Sequence, residues 1–268
     1  MAAAVTRGNG IAADRLFVLP TPEELARAAA GRFWGIVRER AATLSRSANS
    51  APRIHVALSG GETPRRMYEF LSAEPYRSRF PWDLVHFYQV DERWVSPEDQ
   101  RSNGRMLRDT LLSRAPVPAG HFHPVDTGLA GPEDGARRYE ETLRSAYPRP
   151  SGGFPRFDAI LLGIGIDGHT ASLFPGAISE EGPAWFIATG AAGDPPVRRV
   201  TMTLPLINAA AQVVFLASGK EKARALRGVL AGDPGLPASR VSPARGKVTF
   251  LADTGAAALA VAKEGERR

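Results

Sequence analysis

Apolar positions alternate along the chain between two spacings, and the alternation predicts the elements. Thr21-Pro22-Glu23-Glu24 carries the start signals of a helix: Thr as N-cap, Pro at the first helical position, Glu three residues on. Leu25, Ala28, Phe33, Val37, Ala41 and Leu44 then recur at helical spacing, and Ser47–Pro52 breaks the pattern. Ile54–Leu58 is a short apolar run that predicts a strand. Pro64–Leu71 reads as a helix, Leu84–Val90 as a strand, Asn103–Leu112 and Glu133–Tyr147 as helices. Phe157–Gly163 is a continuous apolar run, as suits a strand buried on both faces. Val200–Leu204 and Gln212–Ala217 read as further strands, with a helical turn at Leu206–Ala210 between them. Lys220–Leu230 reads as a helix, Val248–Leu251 as a last strand and Ala256–Val261 as a last helix.

Strands that alternate with helices predict an α/β fold, a Rossmann-like, mainly parallel sheet with helices on both faces. No repeat interrupts the order. The Pro-, Ser- and Gly-rich stretch Tyr147–Pro155 is the best linker candidate, but composition does not change across it. The expectation is therefore one α/β domain over residues 15–268, preceded by a flexible extension over residues 1–14. A length of 268 residues fits that count, and a 43% hydrophobic content suffices for a sizeable core.

Composition removes several kinds of chemistry. The chain has no cysteine, which excludes disulfides, thiolate metal sites and a thiol nucleophile. The first fourteen residues lack the apolar stretch of a signal peptide, and no apolar run approaches the roughly 18 residues of a membrane span. A soluble, cytoplasmic protein is expected. The net charge of +6 invites a nucleic-acid reading, but basic residues never run longer than two and acids are interleaved throughout. A concentrated basic stripe is the usual footprint of nucleic-acid binding, so none is expected. A small anionic substrate uses such charge equally well.

Ligands of open α/β sheets bind beyond the carboxyl ends of the strands, and three predicted strand ends carry unusual residues. After Ile54–Leu58 comes Ser59-Gly60-Gly61-Glu62-Thr63-Pro64. Paired glycines let backbone approach an anion, and Thr63 can cap a helix that Pro64 opens, so the turn is either a phosphate cradle or an ordinary tight turn. After Leu84–Val90 comes Asp91-Glu92-Arg93, a base and an oxyanion-binding arginine or else a solvated loop; Ser102 and Asn103 follow, able to cap a helix or touch a ligand. After Phe157–Gly163 comes Gly163-Ile164-Gly165-Ile166-Asp167-Gly168-His169-Thr170-Ala171-Ser172-Leu173-Phe174-Pro175. Imidazole suits proton transfer near neutral pH, and the nearby Asp167 can orient His169.

Arg198, Arg199 and Lys220 sit at further strand boundaries, able to neutralise a phosphate or simply to face solvent. His121-x-His123 has no third ligand at metal spacing, so no metal is expected. Gly163-x-Gly165 lacks the third glycine of a dinucleotide fingerprint, and Ser59 stands in no nucleophile elbow.

Taken together, Ser59–Pro64, Val90–Trp94 with Ser102-Asn103, Gly163–Gly176, Arg199–Asn208 and Gly219–Lys222 resemble the 6-phosphogluconolactonases of the pentose phosphate pathway, in that family's order, over most of residues 16–252. Gly163–Pro175 is the most specific stretch. The resemblance implies the fold shared with glucosamine-6-phosphate deaminases and ribose-5-phosphate isomerases. It implies hydrolysis of 6-phospho-D-glucono-1,5-lactone to 6-phospho-D-gluconate, with no metal or organic cofactor. A phosphorylated sugar lactone is the expected partner, with no nucleic acid and no membrane, and the expected state is a monomer or small homo-oligomer. By position, His169 looks like the catalytic base, Asp167 its acidic neighbour and Arg93 a substrate-binding arginine. Ser59, Gly60, Gly61, Thr63 and Lys220 resemble phosphate-binding elements, and Asp91, Asn103, Gly168 and Arg199 complete the expected site. Ile166 departs from the family pattern, where proline often stands. Two alternatives are a deaminase or isomerase of the same fold, and a non-catalytic sugar-phosphate sensor. Deaminases follow Asp-Gly-His with a further acidic residue, whereas here no acid occurs until Glu180.

Overall fold

The computed structural model describes residues 3–5, 13–45, 53–147, 153–176, 182–193 and 196–261. Glu180, residues 47–52 and the centre of the linker candidate, residues 148–152, lie outside them.

The strands are β1 (Ala3–Val5), β2 (Ala13–Leu19), β3 (Ile54–Leu58), β4 (Val85–Gln89), β5 (Asp91–Arg93), β6 (Phe122–His123), β7 (Ala159–Gly163), β8 (Phe186–Ala192), β9 (Val197–Met202), β10 (Gln212–Ala217) and β11 (Lys247–Asp253). The helices are α1 (Pro22–Leu44), α2 (Glu62–Leu71), α3 (Tyr76–Arg79), α4 (Asn103–Leu107), α5 (Pro132–Ala146), α6 (Leu204–Asn208), α7 (Ala223–Leu230) and α8 (Thr254–Val261). The main sheet has the order β1-β2-β11-β10-β7-β3-β4-β6, parallel from β2 to β6, with β1 antiparallel at the edge. Ala3–Val5, inside the segment expected as an extension, is thus paired with Leu16–Val18.

Side chains that alternate along the strands feed two cores. Ile54, Val56 and Leu58 of β3 and Leu161 of β7 pack under α1 and α2 with Phe33, Val37, Met67 and Leu71. Ala57, Ile160 and Leu162 point the other way, toward Tyr139, Leu143, Leu226 and Val229 of α5 and α7. This two-sided burial explains why the central strands read as continuous apolar runs. Thr21 caps α1, its Oγ1 accepting from the Glu24 N–H at 3.2 Å. No described helix is long and apolar enough to cross a membrane.

From β3 the chain winds outward through β4 to β6, then returns to β7 and winds the other way through β10 to β11. The direction reverses between β3 and β7, and that switch point is where a ligand crevice opens.

A second sheet, β5-β9-β8, was not expected. It is antiparallel and lies beyond the main sheet. Asp91–Arg93, expected as a charged strand end, is its strand β5; pairing with the distant β9 satisfies the backbone, and no local pattern announces such a pairing. The strand expected at Val200–Leu204 begins earlier, at Val197, and ends at Met202, because Leu204 already opens α6. Thr63 is not a cap. Gly61, at φ +109°, takes that position, and Thr63 and Pro64 lie inside the first turn of α2.

Candidate active site

A cavity of about 670 Å³ opens at the switch point. The turn after β3 supplies Ser59, Gly60, Gly61 and Thr63, and the first turn of α2 adds Glu62 and Pro64. The turn after β7 supplies Gly165, His169 and Ala171. Asp91, Arg93, Asn103 and Arg199 come from the second sheet and α4, and Ser218, Gly219, Glu221 and Lys222 from the turn after β10. Three of the predicted site residues do not line it. Asp167 and Gly168 lie behind His169 in the same turn, and Lys220 is exposed while its neighbours Glu221 and Lys222 face the cavity.

The turn after β7 is closed on itself. Gly165 donates its N–H to the His169 carbonyl at 2.8 Å, Gly168 to the Gly165 carbonyl at 3.0 Å, and Thr170 Oγ1 to the Gly163 carbonyl at 2.9 Å. Inside it, His169 Nδ1 lies 2.5 Å from Asp167 Oδ1, which also accepts the His169 backbone N–H at 3.1 Å. Burial tends to raise the Asp167 carboxyl, but the His169 backbone bond, ring charge and ring N–H outweigh it and hold the carboxyl below its ordinary value. Asp167 is therefore an ionised acceptor at neutral pH. An acceptor-only partner puts the proton of neutral His169 on Nδ1 and leaves the lone pair on Nε2. Gly165 makes this possible: a Cβ there would fall 2.0 Å from His169 Nδ1 and 2.5 Å from Asp167 Oδ1. Ala171 follows in the left-handed region at φ +51°, a strained conformation of the kind found at functional sites.

Two residues unread in the sequence join this turn to the second sheet. Ser172 donates from Oγ to Asp91 Oδ2 at 2.5 Å and from its N–H to Thr201 Oγ1 at 3.1 Å. The Phe174 ring lies 4.6 Å from the His169 ring and 5.4 Å from the Arg199 guanidinium, so it spaces the base from the cation. Asp91 is buried; its Oδ1 accepts from Asn103 Nδ2 at 3.2 Å, and its Oδ2 stands 4.0 Å from Arg199 Nη1. Asn103 Oδ1 accepts from Arg93 Nη1 at 2.5 Å. Gly60 leaves room for that amide, since a Cβ would fall 1.7 Å from Asn103 Oδ1.

Two guanidinium groups face the cavity from the second sheet. Arg93 and Arg199 are register partners on β5 and β9. Burial lowers the Arg199 pKa, Asp91 opposes that shift, and Arg93 adds to it. The start of α2 adds the positive end of a helix dipole. Ser59 Oγ, Arg93 Nε and Arg199 Nε are buried polar atoms with no partner among the described residues. Buried polar groups are almost always satisfied, so unpartnered atoms that share one cavity mark a place for a polar ligand. Arg66 also reaches the cavity, but Glu23 and Glu69 already occupy its guanidinium. Among the described residues no group of three or more His, Asp or Glu side chains is arranged to hold a metal ion.

Known proteins match this chain over most of its length. The sequence model of the family described as glucosamine-6-phosphate isomerases/6-phosphogluconolactonase matches residues 20–250. A 6-phosphogluconolactonase from Synechocystis is 40% identical over 200 residues, 74% of this chain and 81% of its own. The crystal structure of 6-phosphogluconolactonase from Thermotoga maritima superposes with a TM-score of 0.73 at 33% identity, covering 88% of this chain and 98% of that one. The 6-phosphogluconolactonase from Trypanosoma cruzi gives a TM-score of 0.79 at 30% identity over 94% of this chain and 97% of that one. Sequence and fold together assign the chain to the glucosamine-6-phosphate isomerase/6-phosphogluconolactonase family.

Proposed function

We propose that the protein hydrolyses 6-phospho-D-glucono-1,5-lactone to 6-phospho-D-gluconate, in the cytoplasm and as part of the oxidative pentose phosphate pathway. The observation that carries this reading is the His169–Asp167 pair at 2.5 Å, set on the wall of a cavity that Arg93 and Arg199 also line, with no partner on His169 Nε2 among the described residues. The relatives at 30–40% identity bear the lactonase name, which supports it.

The phosphate docks on the Gly60-Gly61 turn and the start of α2, with Arg199 and Lys222 adding charge. The lactone carbonyl then lies toward His169. His169 Nε2 takes a proton from water as the water oxygen bonds to the carbonyl carbon. Arg93 and N–H groups of the turns stabilise the resulting oxyanion. Collapse of the tetrahedral intermediate breaks the bond from the carbonyl carbon to the ring oxygen. His169 returns its proton to that oxygen, which leaves as the hydroxyl of the open-chain acid. Asp167 holds Nδ1–H throughout and stabilises the imidazolium. No cofactor takes part.

The test is acid release from freshly prepared lactone, corrected for spontaneous opening, alongside ammonia release from glucosamine 6-phosphate. Fast acid release without ammonia supports the lactonase. Ammonia release supports a deaminase, and tight binding of 6-phosphogluconate without turnover supports a sensor.

A further inference from the structure

Of the three residues of β5, Asp91 and Arg93 line the cavity and Glu92 does not. Successive side chains of a strand point to opposite faces, and Glu92 turns away beneath the start of α4, where it is 3% exposed. Its Oε1 accepts the backbone N–H of Arg93 at 2.8 Å and of Asn103 at 2.7 Å. Its Oε2 accepts the Gly104 N–H at 2.7 Å, Gln89 Nε2 at 2.7 Å and Ser102 Oγ at 3.0 Å. All five donors are neutral N–H and O–H groups.

A carboxylate offers about four lone-pair sites and no donor. Five donors saturate it and leave nothing for a substrate. An amide in its place would set a hydrogen against at least one of them, since only the Ser102 hydroxyl can turn to accept. Three are backbone N–H groups that cannot rotate away. Gln89 cannot reverse its amide without losing the bond that its Oε1 accepts from the Val125 N–H at 2.8 Å. Burial raises the Glu92 carboxyl above its ordinary value, and the donors limit that rise without cancelling it. The ionised form is the one the donor set fits.

The consequence reaches the cavity through two residues. Glu92 holds the backbone of Arg93 and of Asn103, and these two then bond to each other through their side chains. We propose that Glu92 is a positioning residue of the active site: its carboxylate clamps β5 to the first turn of α4 and so sets Arg93 and Asn103 in the orientation in which they meet the substrate. This rests on the lactonase reading only for the activity by which it is measured.

The test is a double-mutant cycle on lactone hydrolysis with the full chain, using wild type, Glu92→Gln, Asn103→Ala and the pair. Glu92→Gln is expected to lower kcat/KM by roughly 10- to 100-fold, as small misplacements at a site do. In the Asn103→Ala background the same change is expected to cost clearly less, the remaining loss passing through Arg93. Equal losses in both backgrounds, or a wild-type value for Glu92→Gln alone, overturn the proposal. A second readout needs no turnover. The side-chain amide resonances of Asn103 in nitrogen-15-labelled protein are expected to move toward solvent-exposed positions in Glu92→Gln; unmoved resonances contradict the clamp. If Glu92→Gln fails to fold, Glu92→Asp, which keeps the anion but shortens the reach, carries the same cycle and the same resonances. A wild-type protein that opens the lactone no faster than buffer refutes the activity, and the amide readout then decides the clamp alone.

Discussion

Arg93 and Arg199 stand opposite each other as register partners of β5 and β9, so two guanidinium groups share one wall of the cavity. Like charges at directly opposed strand positions are unfavourable. Asp91 offsets part of this from 4.0 Å. A bound anion would offset the rest.

The product 6-phospho-D-gluconate is therefore expected to stabilise the fold, by about 2.7 kcal/mol at a hundredfold excess over its Kd. Arg199→Met is expected to weaken its binding roughly 10- to 100-fold, the range of a lost charge-assisted hydrogen bond. Calorimetric titration of both proteins measures this. Equal affinities would remove Arg199 from the anion site.

Gly165→Ala places a methyl group where the His169–Asp167 pair sits. The methyl meets two side chains rather than backbone, so the variant is expected to fold and to lose roughly 100-fold in kcat. Thermal melts together with turnover separate the two effects. A fully active variant would mean that the pair can form in another geometry.

Asp167→Asn keeps the shape and removes the charge. The amide can still accept from Nδ1–H, but it no longer stabilises the imidazolium, and reversed it would favour the wrong tautomer. A loss of roughly 10- to 1,000-fold in kcat is expected, with KM little changed. A large rise in KM at constant kcat would instead assign Asp167 to sugar binding.

Far from the cavity, toward the amino ends of β3 and β4, four histidines gather. His86 Nδ1 lies 3.0 Å from His123 Nε2, the His86 and His121 rings stack at 4.2 Å, and His55 packs 4.2 Å from Tyr147 with its Nδ1 3.1 Å from the Tyr88 hydroxyl. Burial, with the neighbouring histidines and arginines including Arg53, lowers His55 to about 3 and His86 to about 4. An unfolded histidine titrates near 6.5. Between these values the unfolded chain binds more protons, so stability is complete above about pH 6.5 and is lost as pH falls toward 3. By about pH 5.5 the loss from His55 alone is on the order of 1 kcal/mol. Denaturant melts at pH 7.5 and 5.5 check this, and His55→Phe is expected to flatten the difference. An unchanged difference would place the acid sensitivity elsewhere.

The parts of the fold that were legible are those with local signals. Apolar runs marked β3, β7 and β10, and the Thr21-Pro22 pair marked the start of α1. The three strand-end turns of the candidate site could be read because parallel α/β sheets gather their strand ends on one edge. What escaped depends on long-range pairing or on the phase of a turn. Asp91–Arg93 is a strand only because β9 lies beside it, and the Ala- and Gly-containing β8 has no alternating strand pattern of its own. Gly219, at φ +94°, leads into a 3-10 turn, and its phase turns Glu221 and Lys222 toward the cavity rather than Lys220. Ser172, Phe174 and Glu92 lie within the strand-end motifs themselves. Their roles depend on Asp91, Arg199 and α4, which sequence spacing does not bring near.

In the proposed mechanism the Nε2 lone pair of His169 activates water against the lactone. The most direct measurement is the rate of acid release from 6-phospho-D-glucono-1,5-lactone by wild type and by His169→Ala, each corrected for spontaneous opening. Rapid release by wild type is expected, with a loss of roughly 100- to 10,000-fold in His169→Ala, the usual contribution of a general base, and product affinity retained. A His169→Ala variant that hydrolyses the lactone at a near-wild-type rate would contradict it.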